Sequence, residues 1–251
     1  VIDKHRLQIT PAFKSGGSVP YSIGTHHYFD RRISNCHFFF LDTRGERSKF
    51  LGEKKAHQKD RFILGEVQRR WFLDKVKKTD ADFIFVISRD PWVIYHSAYH
   101  VRPEGGTGSK GDGFCGYVHE REILLKELDQ IEKPILIFTG NVHNSSAVQI
   151  TNNVWEFMCG PMNSAGHPIG TAGLPPFGGW FDSEGRVVKV KWVAGFPDNV
   201  HYSRLRNTYY AVVKVNNVMK APKPKGVGYQ FVSYDEPQVV VQFYDGYTGK
   251  L

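Results

Sequence analysis

No apolar run in this sequence approaches the roughly 20 residues that a membrane-spanning helix requires, so no such span is expected. Cysteine is scarce. Cys36, Cys115 and Cys159 lie far apart without a CxxC pair, which argues against a zinc cluster or a disulfide framework and leaves them as reduced, small hydrophobes. Internal repeats and low-complexity tracts are absent too, which removes solenoid and fibrous architectures. The glycine-rich stretch "EGGTGSKGDGFCG" (104–116) lacks the GxxxxGK[ST] order and does not join a strand directly to a helix. It is expected to be a flexible loop over a site, not a nucleotide-binding P-loop. An initiating methionine is missing, and the sequence closes inside "VVVQFYDGYTGKL", a hairpin pattern without its return strand, so both ends read as cut. No signal peptide is visible, which in a trimmed sequence says little about compartment.

What is present describes an ordinary globular chain: 41% of its 251 residues are hydrophobic and 14% are aromatic, enough to bury a sizeable core. One domain is expected, with a lead-in over 1–35, a βαβαβ part over 36–143 and a mostly β part over 144–251. The formal net charge of +8 favours anionic partners such as phosphate esters or acidic surfaces through long-range attraction.

No element is assigned before Ser34, where "SGGSVP" marks a loop. "CHFFFL" (36–41) is a short aromatic run bounded by polar residues, as in a buried strand. Residues 45–63 are charged and read as a loop. Leu64, Val67, Trp71, Phe72 and Val76 recur at helical spacing, with Glu66 early and lysines late to suit the dipole, which predicts a helix over about 65–78. "FIFVIS" (83–88) is a strand, Tyr117–Ile131 an amphipathic helix and "ILIFTG" (135–140) a strand. That alternation predicts parallel strands joined by right-handed crossovers. Beyond Gly140 the runs "SAVQIT", "VWEFMCG", "RVVKVKWV", "TYYAVVKV", "YQFVSY" and "VVVQFY" predict mostly antiparallel sheet, with "GTAGLPPFGG" and "KAPKPKGVG" as loops.

Ligands of open α/β sheets bind beyond the carboxyl ends of parallel strands, where the crossover loops converge. Three strand ends are therefore the candidate site: Asp42-Thr43-Arg44, Ser88-Arg89-Asp90, and Gly140-Asn141-Val142-His143-Asn144. Imidazole and side-chain oxygens can hold a metal, and an arginine can clamp phosphoryl oxygens in a bidentate way, which suits phosphate-ester hydrolysis. Set against that, Asp42 and Arg44 could pair with each other or cap a loop, and His143 could be an ordinary turn residue.

The ordered blocks "FFFLDTRGERS", "LGEVQRRWF", "FIFVIS...PW", "GYVHEREILLKEL", "ILIFTGNVHNSS" and "WEFMCGP" resemble those of PhoD-like (alkaline phosphatase D) phosphatases from about Cys36 to Pro161. The resemblance implies a metallophosphoesterase fold: α/β, part of a sandwich of two mixed sheets flanked by helices, with a β-rich C-terminal portion. It further implies metal-dependent hydrolysis of phosphate mono- or diesters, using calcium, iron, zinc or manganese. "GNVH" matches the family's Gly-Asp-x-His block, which implies Asn141 and His143 as metal ligands. The "LDTR" block implies a catalytic role for Arg44 at the substrate phosphate, with Asp42 beside it. The family leans towards an extracytoplasmic setting.

Two departures stand out. Asn141 replaces an aspartate, so the position can ligate through an amide oxygen but carries no charge. The family's first half, which supplies further ligands, has no counterpart here, and catalytic metal sites usually need at least three protein ligands. The missing half or a complementing chain is therefore an expected partner. The alternative function is a non-catalytic relative that acts as a binding module.

Other motifs carry less. Asp3-Lys4-His5 is spelled like a ligand pair but follows no strand; His26 and His27 point apart in extended chain; His96 and His100 follow a proline in a short stretch. Asn144-Ser145-Ser146 fits a glycosylation acceptor, yet it lies within the candidate site, where modification is not expected. "NVHYSRLRNTYY" could stack on bases, but such stripes are more often core and solvated edge, and no nucleic-acid partner is expected.

Overall fold

The computed structural model describes residues 27–52, 55–95, 101–102, 106–107, 111–162, 179–194, 208–216 and 237–251. Asp3, His5, His26, His96, His100, most of "NVHYSRLRNTYY", "YQFVSY" and "KAPKPKGVG" lie outside the described residues.

Strands β2 (Cys36–Phe40) and β3 (Phe83–Ile87) are parallel and joined through helix α1 (Gly65–Lys78). Strand β6 (Ile135–Thr139) follows helix α2 (Val118–Asp129) and lies parallel to β3. Between β3 and α2 runs a two-stranded ribbon, β4 (Val101–Arg102) with β5 (Gly106–Thr107). The run of alternating β and α elements thus forms the parallel arrangement that its order predicts. With β1 (Phe29–Ile33) at one edge, the sheet extends through β7 (Ser146–Gln149), β8 (Val154–Met158), β9 (Gly179–Ser183) and β10 (Arg186–Val193) to eight strands, in the order β1-β2-β3-β6-β8-β7-β10-β9. Strands β11 (Tyr209–Asn216) and β12 (Gln238–Asp245) form a separate antiparallel ribbon.

Period-two alternation sorts the strands' side chains onto two faces. Phe39, Ile84, Val86, Ile135, Ile137, Val154 and Met158 join Phe72 and Val76 of α1 and Leu124, Leu125 and Leu128 of α2 in the main core. The opposite face carries Phe38, Phe85, Phe138 and Phe157, stacked strand to strand at centroid distances of 4.7, 5.8 and 5.5 Å. Val215 of β11 and Val239 of β12 pack against these rings. The three cysteines are free, with Cys36 and Cys115 buried as the sequence suggests.

Three expectations change, and the mostly antiparallel later part holds with one parallel pairing added. Strand β1 (Phe29–Ile33) forms a hairpin with β2 in a region read as loop. It is an edge strand with its last three residues exposed, so its sequence carries no alternation to read. Strand β8 pairs in parallel with β6 and antiparallel with β7, which carries parallel pairing into the part expected to be mostly antiparallel. Strand β9 begins in the segment read as a glycine-proline loop. On α1, Val67 faces solvent while Gln68 takes the inner position in line with Phe72 and Val76.

Candidate active site at three parallel strand tips

Parallel registry brings the carboxyl ends of β2, β3 and β6 to one edge: Phe40 is opposite Ile87, and Ile87 opposite Phe138. Backbone bonds continue past the strands, from Leu41 N to Ile87 O at 3.0 Å and from Gly140 N to Arg89 O at 3.2 Å. The three loops therefore leave the sheet side by side.

The first loop is shaped by Asp42. Its Oδ1 accepts hydrogen bonds from the Arg44 and Gly45 amides, each at 2.9 Å, an Asx-type turn. Gly45 is required beside it, because a Cβ there would lie 2.4 Å from Asp42 Oδ2. The backbone of Asp42 is held from α1: its N–H donates to Gln68 Oε1 and its carbonyl accepts from Gln68 Nε2, both at 2.8 Å. This explains why a polar residue occupies the inner face of the helix.

Arg44, carried by that turn, reaches Asp112 Oδ1 through Nη2 at 3.0 Å. Arg47 Nη1 lies 3.6 Å from the same oxygen and donates to Gly111 O. At the second tip, Arg89 Nη1 donates to Asp90 Oδ1 at 2.8 Å and Nη2 donates to Asn141 Oδ1 at 2.8 Å. Asn141, from the third tip, donates through Nδ2 to Asp90 Oδ1 at 3.1 Å and to Asp112 O at 3.4 Å. Its φ of 65° is left-handed, a conformation that asparagine tolerates better than most residues. Arg44 and Asn141 thus belong to one network through Asp112. His143 is half-buried in the same β6–β7 loop, two residues beyond Asn141.

Asp90 is fully buried, and desolvation pushes its carboxyl up against the opposing influence of the Thr43 hydroxyl and of Arg89, Arg47 and Arg44. Thr43 Oγ1, Asp90 Oδ2 and Arg47 Nη2 all remain buried without a hydrogen-bond partner. Arg47 Nη2 and Asp90 Oδ2 stand 3.8 Å apart as an ion pair, so these buried polar atoms lie beside the strand tips.

Behind the site, Glu156 of β8 is fully buried and accepts from Trp92 N at 2.9 Å, Val93 N at 3.1 Å and Thr139 Oγ1 at 2.9 Å. It ties the loop after Asp90 to the sheet. Glu120 of α2 does the same for the entry to α1, accepting from Ile63 N at 2.6 Å and Leu64 N at 2.9 Å. Gln68, Arg47, Asp112, Glu120 and Glu156 were not singled out by sequence reasoning. Only their membership in polar-interrupted apolar stretches could have flagged the buried ones. Asn144, Ser145 and Ser146 are fully buried, which closes the acceptor sequon to a glycan in the folded chain.

Among the described residues no group of three or more His, Cys, Asp or Glu side chains could hold a metal ion. Asn141 Oδ1, implied as a ligand, faces the Arg89 guanidinium. The donor set described does not by itself fit a metal centre; its cations suit an oxyanion.

The α/β sheet thus carries Arg44, Arg47 and Arg89 at adjacent parallel strand tips, a placement of guanidiniums that suits an anionic group chemically. Comparison with known proteins is narrower: the sequence model of the PhoD-like phosphatases matches residues 28–217. The chain belongs to the PhoD-like phosphatase family. Among solved structures it is similar to one titled "Structure of PhoD", with 18% identity and a TM-score of 0.46 over 56% of this chain. The chain spans 31% of the length of that structure. No curated protein matches it.

Proposed function

We propose that this chain serves, as one domain, in metal-dependent hydrolysis of phosphate mono- or diesters. Arg44 and Arg47 grip the phosphoryl group, and Asp42 shapes the loop that presents Arg44. The observation that carries this reading is the convergence of Arg44 and Arg47 on a single carboxylate oxygen of Asp112, at 3.0 and 3.6 Å, beside the Arg89–Asn141 pair. Arg44 donates to that oxygen and Arg47, whose Nη1 donates to Gly111 O, stands within ion-pair reach of it; guanidiniums so placed offer the planar donors that phosphoryl oxygens need and put positive charge where negative charge builds up in phosphoryl transfer.

Asn141 and His143 would contribute to a metal centre only together with ligands beyond the described residues, from a further segment or a complementing chain. Family membership favours an extracytoplasmic setting, and no described helix is long and apolar enough to cross a membrane. The full-length parent protein is expected to release aryl alcohol from aryl phosphate mono- or diesters in a metal-dependent way. Arg44→Ala should lower that rate about a hundredfold, the usual effect of removing one donor to developing charge. A full-length protein that hydrolyses neither substrate would end this reading.

A second reading, a non-catalytic binding module, is favoured by one observation: both ends of the Asn141 amide are committed, to Arg89 and to Asp90. Metal analysis of the intact parent decides between the two, since stoichiometric bound metal contradicts a module that has lost its centre.

A further inference from the structure

Arg89 stands between the tips of the second and third parallel strands on a clamped backbone. Ser88 N donates to Phe138 O at 2.9 Å and Gly140 N to Arg89 O at 3.2 Å, which fixes this turn against β6. Ser88 Oγ donates to Asp90 O at 2.9 Å and holds its other side. From that anchor the guanidinium reaches two acceptors, Asp90 Oδ1 through Nη1 and Asn141 Oδ1 through Nη2, both at 2.8 Å. Asn141 Nδ2 donates back to Asp90 Oδ1 at 3.1 Å, so both ends of the amide are held. The Arg89 side chain is nonetheless 44% exposed. Each terminal nitrogen has a second N–H, and these remain for an oxygen arriving from solvent.

This arrangement conflicts with a metal ion at Asn141. The amide oxygen is the atom of that side chain able to ligate a hard cation, and it accepts from Arg89 instead. A divalent ion on the same oxygen, at about 2.0–2.6 Å, would stand roughly 5 Å or less from a guanidinium nitrogen. Like charges at that range repel, and arginine cannot relieve the repulsion by giving up its proton. Asn141 is therefore held by Arg89 or by an ion, not by both. The donor set favours Arg89, since no group of three or more His, Cys, Asp or Glu among the described residues is placed to hold an ion.

We propose that Arg89 is the resident cation at Asn141 and a third phosphoryl-binding guanidinium, so that the phosphoryl group is bound at these strand tips without a metal ion. The inference rests on the phosphoryl-binding reading above and deepens it; hydrolysis, at a centre that further segments complete, is a separate step. Arg89 is joined to the Arg44 side of the site through Asn141, whose Nδ2 also donates to Asp112 O at 3.4 Å, while Asp112 Oδ1 accepts from Arg44. Arg44 and Arg47 act on the buried Asp90 carboxylate together with Arg89, which gathers three fixed positive charges around one point. Arg44, at 51%, and Arg89 are the two exposed enough to meet an anion from solvent, Arg47 being nearly buried.

The test is calorimetric titration of the full chain with phenyl phosphate, once with chelator and once with manganous ion, beside melting curves in the same buffers. The wild type should bind phenyl phosphate in chelator, and manganous ion should alter neither that affinity nor the melting temperature. Arg89→Ala should bind about tenfold more weakly in chelator, the effect of losing a charge-assisted hydrogen bond. Arg89→Lys keeps the charge and should recover much of that loss, with the melting curves separating a folding defect from lost grip. Wild-type binding that appears only with manganous ion, or a wild-type melting temperature that the ion raises, overturns the resident-cation role and leaves the phosphoryl-binding reading standing. This comparison needs no variant and decides even where Arg89→Ala fails to fold. Unaltered affinity in a folded Arg89→Ala likewise removes Arg89 from the grip. Absence of wild-type binding in both buffers sinks the phosphoryl-binding reading itself.

Discussion

Arg89 donates through Nη2 to Asn141 Oδ1 at 2.8 Å, joining the tip of the second parallel strand to that of the third. The same guanidinium holds Asp90, which in turn accepts from Asn141, so the three side chains close a ring of hydrogen bonds. Within that ring a guanidinium stands against the oxygen that the family pattern gives to a cation.

The ring makes Asn141→Asp informative. An oxygen in place of Nδ2 would face Asp90 Oδ1 at about the present 3.1 Å, setting two carboxylates together and removing a donor. A loss of about 1–3 kcal/mol is expected in chelated buffer. Added divalent cation should restore part of it and raise the melting temperature of the variant but not of the wild type. Equal cation responses in the two proteins would contradict the assignment of this position.

Gln68 positions the Arg44 loop through Asp42 without touching a ligand. Gln68→Leu keeps the volume of the buried side chain but leaves the Asp42 N–H unpaired, at a cost of about 1–3 kcal/mol. Phosphate affinity should fall severalfold while Gln68→Glu, which retains an acceptor for that amide, recovers part of it. Denaturant unfolding and titration together check this, and unaltered affinity in a destabilised Gln68→Leu would reduce the residue to a packing role.

Glu156 is expected to dominate the stability of the loop after Asp90. Glu156→Ala strands three donors, Trp92 N, Val93 N and Thr139 Oγ1, and should cost about 3–5 kcal/mol. Burial pushes the Glu156 carboxyl above its ordinary value, so the folded state holds the proton more tightly than the unfolded state. Stability from this group is therefore greatest in acid and declines as pH rises from the ordinary carboxylate value through the raised one. Glu156→Gln should flatten that decline. Unfolding curves across the weakly acidic range report it, and an identical slope in wild type and variant would show that another group is responsible.

Much of the fold was readable because the parallel core depends on local signals. The runs of "CHFFFL", "FIFVIS" and "ILIFTG", and the helices between them, occur where apolar period and dipole-matched charges put them, and α1 spans Gly65–Lys78 as its spacing predicts. Strand β1 was not readable, since an exposed edge strand such as "FDRRI" is defined by its partner β2 and not by its own pattern. The parallel pairing of β8 was hidden for a similar reason: "VWEFM" alternates equally well beside a parallel or an antiparallel neighbour.

Which residues end the three buried strands follows from the local pattern alone, because a run of β-branched and aromatic residues must stop where Asp42, Arg89 and Asn141 begin. It also determined that Arg44 and Asn141 would emerge on the same edge, since parallel crossovers leave no other arrangement. What those residues face is set by packing across the sheet. Asp112 lies 68 residues from Arg44, Gln68 lies 26 from Asp42 and Glu156 lies 64 from Trp92, and they meet these partners through side-chain geometry. A one-dimensional pattern encodes burial and period, but which guanidinium meets which carboxylate depends on how helices and loops pack across the sheet.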